Sequence, residues 1–255
     1  MRILAVPAAI LLACCFYLPL PALAARFADA LRWLYRQTLR LFTRKSGAAD
    51  HAPALYVFLL LLCGVSALLG ALHPLAAALL MAPLFTGLAA LPACVQAEHE
   101  LDSGKYARDI PAYEALVRET CLSVAPAFVS GVAAPMLLCA AGMPLHLACP
   151  LGYVWAALCA LEGKNPQAAR AVLAVQRICE RIFLFMITLC AGVTGRSPFS
   201  VRGKTVSERV LNIVGLSGDH AHAPMAGDIA QAIFLCAFSC GVLCFVLCAV
   251  GFVLC

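Results

Sequence analysis

The sequence predicts an all-α, polytopic integral membrane protein with about six or seven transmembrane helices plus an amphipathic surface helix. Three observations carry the prediction. The 255 residues are 64% hydrophobic and only 12% charged, where a soluble domain is about half apolar and a quarter charged. Mean hydropathy is +0.94. The apolar residues gather into runs, several of which reach the roughly 20 residues that a span needs. The whole chain, 1–255, reads as a single membrane domain, with no room for a large soluble one beside it.

A first span is expected over 3–24, kinked or ended by Pro19 and Pro21. Met1-Arg2, the apolar run and Ala22-Leu23-Ala24 also fit a signal peptide with a cleavage site. The length of the run, with basic residues after it, favours a retained helix or signal-anchor. Residues 26–45 hold Arg26, Arg32, Arg36, Arg40, Arg44 and Lys45, six of the 18 basic residues. Arg32 to Arg44 recur every fourth position and so line one side of a helix. Leu31, Leu34, Leu41, Phe42, Trp33 and Tyr35 supply apolar and interfacial contact, so a surface-lying helix on the cytoplasmic side is expected.

A helical hairpin follows over 53–94, with spans at 53–71 and 75–94 turning at Gly70 to Pro74. Residues 95–120 form a polar connector with Glu98, Glu100, Asp102, Asp109, Glu114 and Glu119 against Lys105, Arg108 and Arg118. A broken hairpin is expected over 121–161, with spans at 121–141 and 145–161 around Gly142 to Pro144. Pro126, Gly131 and Pro135 make the first of these a poor straight helix, broken or re-entrant. A basic connector, 162–181, carries Lys164, Arg170, Arg177 and Arg181. A short span, 182–195, a polar loop, 196–228, and a last span, 229–255, complete the chain. Strict alternation puts 196–228 outside despite Arg196, Arg202, Lys204 and Arg209, so either the short span does not cross or the loop breaks the charge rule.

Net charge is +5, with 18 basic and 13 acidic residues. No Lys/Arg run is interleaved with aromatics on a polar surface, which argues against nucleic acid as a partner. Most of the 15 cysteines lie in apolar runs and read as small packing residues. Cys236, Cys240, Cys244 and Cys248 form a helical stripe spread along about 18 Å. Ligands strung out that way cannot surround one ion, so the stripe reads as a helix-packing face. Asp219-His220-Ala221-His222 offers metal ligands, but two His at i, i+2 in a loop fall short of the three or four a site needs, and no metal site is expected. His73 and His146 sit at span ends as interfacial anchors. The apolar spans hold almost no ionisable residue at depth, which argues against an ion-coupled transporter or pump.

Several ordered fragments carry a family resemblance. They are Val117-Arg118, Ser123-Val124-Ala125, Gly131-Val132, Ala134-Pro135, Gly142 and Pro144-Leu145, then Ala168-Ala169-Arg170 and Ile178-Cys179-Glu180-Arg181. Leu101 to Arg108, Gly218-Asp219 and Asp228-Ile229 with Ala232 extend the order. Over about half of its length the chain resembles the CobD/CbiB family of cobalamin-biosynthesis membrane proteins, the cobinamide(-phosphate) synthases. The resemblance implies a plasma-membrane protein of bacterial type. It also implies ATP-dependent ligation of an aminopropanol unit to a carboxylate of cobyric acid, with a corrinoid as ligand. ATP and Mg²⁺ are its cofactors if that activity is retained.

The family's polar positions are replaced here. Its acidic and amide positions fall on Leu122, Pro126, Ala127 and Ser130. Its Lys, Asn, Thr and Asp positions fall on Pro150, Tyr153, Val154 and Ala156, and its Asp-Asp pair on Val172-Leu173. The family's Asn-Ala-Gly-Trp-Pro segment has no counterpart. Holding Mg²⁺ and phosphate needs carboxylates. The pattern therefore describes a divergent member, catalytic or formerly so, and no catalytic residue is assigned. Surviving ligand-binding roles fall on Arg118, Glu119, Arg170 and Arg181, since the arginine fork suits phosphate or carboxylate. The alternatives are a non-catalytic membrane scaffold working with other membrane subunits, or a small-solute (vitamin) transporter with the broken 121–141 span lining its path.

Overall fold

The computed structural model describes residues 5–15, 20–46, 51–72, 78, 81–85, 91–104, 106, 109–142, 147–194, 203–217 and 221–254. Every regular element among them is helical. In order they are α1 (Ala5–Cys15), α2 (Leu20–Ser46), α3 (His51–Leu72), a 3₁₀ turn (Ala82–Leu84) and α4 (Leu91–Asp102). Next, α5 (Ile110–Phe128) runs through a π turn (Val129–Ala133) into α6 (Ala134–Gly142). Then come α7 (Ala148–Leu161), α8 (Pro166–Cys190), a 3₁₀ turn (Ala191–Thr194), α9 (Val206–Val214) and α10 (Ala226–Leu254). Two helices are long and apolar enough to cross a membrane, Ile110–Gly142 and Ala226–Val250. Ala52–Leu68 and Ala148–Leu161 are shorter apolar helices.

Several boundaries differ from the sequence expectation, and proline explains most of them. Of the expected 3–24 span, Ala5–Cys15 form α1 and Leu20–Ala24 lie in α2, which carries Pro21 in its first turn, while residues 16–19 lie outside the described residues. Proline has no N–H to donate, and the first helical turn is where that costs nothing. The 75–94 span lies largely outside the described residues, but its end does not continue as one helix. A 3₁₀ turn closes at Phe85, and α4 starts at Leu91-Pro92. The expected 95–120 connector is helical at both ends, its first part lying in α4 up to Asp102 and its last part, from Ile110, being the start of α5. Asp109 caps α5, its carboxylate accepting from Ala112 N–H at 3.1 Å, with Pro111 in the first turn. The 162–181 connector and the 182–195 span are one helix up to Cys190, capped by Asn165 and opened by Pro166. The 196–228 loop contains α9, with a capping box between Thr205 and Glu208.

Two compact units divide the chain. The first comprises residues 1–86, 134–177 and 247–255. Within it α7 packs against α6, α3 and α2, and the Ala82–Leu84 turn touches α1, α2 and α7. Glycine permits a close backbone approach at the turn between α6 and α7. A Cβ on Gly142 would lie 2.6 Å from the carbonyl carbon and oxygen of Leu147. Buried Leu31, Tyr35 and Thr38 mark the inward face of α2, at the i, i+4, i+7 spacing of one helix side. Arg26, Trp33, Leu34, Arg36, Arg40 and Leu41 are exposed. The expected arginine row is therefore present at Arg36 and Arg40, while the side chains of Phe42, Arg44 and Lys45 lie outside the described set.

The second unit comprises residues 87–133 and 178–246. Here α5 packs against α4 and α9. The break expected in 121–141 takes the form of the π turn, not a re-entrant loop. Pro126 cannot donate to the carbonyl of Leu122 four residues back, and Ser207 Oγ from α9 donates to that oxygen instead, at 3.2 Å. Val129 N–H bridges the carbonyls of Ala125 and Pro126, and Ser130 Oγ adds a bond to Pro126 at 2.9 Å. The freed backbone is thus re-satisfied locally, which lets the helix continue. On α8 apolar side chains from residue 178 onward occupy both a buried and an exposed face, with Glu180 and the exposed Arg181 among them. Cys179, Phe183, Met186, Ile187 and Cys190 are buried, and Ile178, Ile182, Phe185 and Leu189 are exposed. Of the cysteine stripe, Cys236 and Cys240 are buried and Cys244 and Cys248 half-buried, consistent with a packing face on α10.

Candidate functional site

The four residues expected to bind ligand stand on helices, and all four are exposed. Arg118 and Glu119 lie on α5 and Arg181 on α8 within the second unit, whereas Arg170 lies on α8 within the first. Adjacent helix positions point about 100° apart, so Arg118 and Glu119 do not aim at one point. No hydrogen bond between any two of the four accompanies their exposure.

The second unit gathers a different polar set around the start of α10. Asp228 is buried, 6% exposed. One carboxylate oxygen accepts from Met225 N–H at 2.8 Å, which is the returning half of a capping box. The other lies 3.6 Å from His222 Nε2, which is also 3.1 Å from the carbonyl of Val214. Tyr113 OH accepts from Ala226 N–H at 2.9 Å. These side chains satisfy a helix start and leave little lone-pair capacity for a substrate. Asp219 and His220, the partners suggested for His222 in a metal site, lie outside the described residues. Arg209 is the other notable cation. Its Nη1 donates to Thr188 Oγ1 and its Nη2 to the Gly203 carbonyl at 2.9 Å, and its Nε is buried without an acceptor. This arginine, counted among the loop charges from sequence, is tied to the end of α8.

In the first unit, α2 and α7 enclose a cleft of about 230 Å³. Ala24, Phe27, Ala28 and Leu31 of α2 face Trp155, Ala156, Cys159 and Ala160 of α7, with Leu84 from the 3₁₀ turn. Arg32 clamps the two helices together. Its Nε donates to the Ala160 carbonyl at 3.0 Å and its Nη1 to Asp29 at 2.9 Å. Asn165 ties the far end, donating to Tyr35 OH at 3.1 Å while its Oδ1 accepts from Gln167 and Ala168 N–H at 2.9 and 3.2 Å. Tyr153 meets Phe27 edge-on at 5.7 Å between ring centroids.

Two of the positions at which the resemblance would put polar groups, Tyr153 and Ala156, therefore stand at or beside this cleft, and they offer it a ring and a methyl group. Pro150 is buried on the same helix, and Val172 is fully buried on α8. The walls of this cleft do not fit ATP and Mg²⁺. Among the described residues no three His, Cys, Asp or Glu side chains converge on a point that could hold a metal, and the cleft walls carry no carboxylate.

The cleft escaped the sequence reading, although one signal for it was present: Ala24, Ala28, Ala156 and Ala160 repeat at i, i+4 on two helices, leaving room where the helices face each other. Compared with known proteins, the chain matches no family model, no curated protein and no solved structure.

Proposed function

We propose that the chain is a multi-pass membrane protein of cobalamin biosynthesis, built on a cobinamide-synthase-type scaffold and acting as a membrane subunit without ligase chemistry of its own. The observation that carries this reading is the ordered match of turn and packing residues, from Val117-Arg118 to Glu180-Arg181, with apolar side chains at the positions that should hold Mg²⁺ and phosphate. Pro150, Val154, Ala156 and Val172 cannot bind a metal or stabilise phosphoryl charge. A scaffold that keeps its shape and loses its acids is suited to holding a partner or a corrinoid, not to activating a carboxylate.

The membrane part of the proposal includes the six or seven crossings. Supporting it are the apolar run of α1, α3, the segment around 78–85, α5–α6, α7, α8 from Ile178 and α10. Exposed Tyr56, Leu60, Leu61, Val65 and Leu68 on α3, and the Ile178-to-Leu189 stripe on α8, form faces suited to lipid.

The test is expression in a strain lacking cobinamide synthase, fed cobyric acid, with alkaline extraction of the membranes. The chain is expected to stay in the membrane fraction, yield no cobinamide alone, and co-purify with a membrane partner in mild detergent. Cobinamide formation by the purified chain with ATP and Mg²⁺ would refute the non-catalytic assignment. Release by alkali would refute the membrane one.

A further inference from the structure

We propose that His222 is a proton-operated latch that holds the segment leading into α10 against the end of α9. The inference stands on hydrogen bonds within the second unit and is independent of the cobinamide-synthase reading.

The end of α9 needs partners that the helix cannot supply. Gly215 makes the left-handed turn that stops it, at φ 93°, and the N–H groups of Gly215 and Leu216 both return to the Leu211 carbonyl. The Val214 carbonyl is one of the last four of the helix, which have no partner inside it, and the Gly215 carbonyl follows. His222 serves both. Its backbone N–H donates to the Gly215 oxygen at 2.9 Å, and its ring Nε2 lies 3.1 Å from the Val214 oxygen. The other ring nitrogen, Nδ1, lies 2.8 Å from the Ala223 carbonyl.

A carbonyl oxygen only accepts, so both ring bonds form only when both nitrogens carry hydrogen. Neutral imidazole has one N–H and turns a lone pair towards one of the two oxygens, whereas imidazolium satisfies both. Two further features favour the cation. The Val214 carbonyl belongs to the negative end of α9, and an Asp228 carboxylate oxygen lies 3.6 Å from Nε2. Behind that carboxylate, α5 contributes Tyr113, whose hydroxyl takes the Ala226 N–H, and Cys121, within reach of the Asp228 charge. The charged residues of α9 are engaged elsewhere, Glu208 with Lys204 and Thr205, Arg209 with Thr188 and Gly203. Asp219 and His220, beside His222 in sequence, lie outside the described residues.

Histidine is the side chain whose ordinary titration falls in the physiological range. Contacts that favour the folded cation contribute stability that is fully present below the ordinary value of about 6.5 and is lost as pH rises through a higher folded value. Loss of the proton removes one ring bond and the attraction to Asp228. The 221–225 segment is then free to lift from Val214, while the Asp228–Met225 and Tyr113–Ala226 bonds keep the start of α10 in place.

The test is hydrogen exchange of the full chain in detergent micelles over about pH 5.5–8.5, with rates corrected for intrinsic exchange. Protection over 211–226 is expected to hold up to about pH 6.5 and then fall several-fold, while that of α8 stays level. His222→Gln carries no titrating proton and is expected to give a flat profile at the unlatched level. Asp228→Asn keeps an acceptor for Met225 N–H but removes the charge, and is expected to move the midpoint to lower pH. A readout that needs no variant is carbethoxylation of His222, which only the neutral ring undergoes, followed site by site by mass spectrometry. Its midpoint is expected above about 6.5. A flat profile in the parent, a midpoint at or below the ordinary histidine value, or a pH dependence that survives His222→Gln overturns the proposal. A parent flat at every pH with a uniform loss in His222→Gln does so too, since it assigns the ring a merely structural role.

Discussion

Replacing Asn165 with alanine removes three hydrogen bonds, two that cap α8 and one that ties it to α2. Asn165 is 2% exposed and caps α8 through Gln167 and Ala168 N–H. Its amide donates to Tyr35 OH, on a side chain itself 5% exposed. Loss of an N-cap costs about 1 kcal/mol. That figure already includes the Gln167 and Ala168 N–H groups left without an acceptor, and the abandoned Tyr35 hydroxyl adds about 1 kcal/mol. Asn165→Ala should therefore destabilise the protein by about 2 kcal/mol, against about 1 kcal/mol for Tyr35→Phe. In the double variant the shared bond is counted once, so a coupling of about 1 kcal/mol is expected. The assay is unfolding in mixed micelles by titration with a denaturing detergent, followed by circular dichroism for the parent, both single variants and the double. Additive losses would show that the Asn165–Tyr35 bond carries no coupling. A change under about 0.5 kcal/mol for Asn165→Ala would refute the capping argument itself.

Three further outcomes follow from the same geometry. The exposed Glu208 carboxyl is held below its ordinary value of 4.5, first by the backbone N–H groups of Lys204 and Thr205. Its folded value is depressed, so its support for α9 is present above about pH 4.5 and is lost as pH falls through the lower folded value; hydrogen exchange over 203–214 should show acid fraying that Glu208→Gln abolishes. Gly142→Ala forces a methyl into the Leu147 backbone, which cannot rotate away, and should lower the thermal midpoint in detergent by the equivalent of about 1–3 kcal/mol. Arg209→Lys replaces a fork that reaches both Thr188 and the Gly203 carbonyl with a single ammonium; exchange protection across α9 should fall by about 1–2 kcal/mol, and unchanged protection would show that the fork is not needed.

Helix content was legible from the apolar runs, but several helix ends were not, because hydropathy does not mark them. The expected spans were cut where polarity rises, at 121 and 182, while the helices run on through Glu114, Arg118, Glu119, Arg177 and Arg181. A helix ignores polarity as long as its polar side chains reach solvent. The better signals were local: Asp109-Ile110-Pro111, Asn165-Pro166 and Thr205 with Glu208 each state a cap and a first turn. The proline pair in 121–141 was read as a break because its two missing N–H groups are visible in sequence. The remedy, a hydroxyl from Ser207 in another helix, is not. Among site residues, Arg118, Glu119, Arg170 and Arg181 came from order along the chain, which says nothing about whether side chains converge. The α2–α7 cleft depends on two helices 128 positions apart meeting through Arg32 and Ala160, and no local pattern encodes that meeting.

Burial decides what the long apolar helices can be. A core helix of a water-soluble protein is covered on most sides. The apolar window of Ile110–Gly142 is 61% buried, which is compatible with that role, but that of Ala226–Val250 is only 28% buried. On α10, Phe234, Phe238, Phe245, Val246 and Val250 are all exposed. Leaving a large apolar side chain in water costs about 1.5–3 kcal/mol relative to burying it. About half exposed on average, five such residues come to about 5 kcal/mol, a large share of the stability of a typical domain. Contact with lipid removes that cost without any covering partner. The polar end of the helix points the same way: Asp228, the Tyr113 hydroxyl and His222 collect at its first turn, and beyond Gln231 the described part of α10 carries no charged residue. Anchored by buried polar bonds at its first turn and without charge after it, this helix is long and apolar enough to cross a membrane.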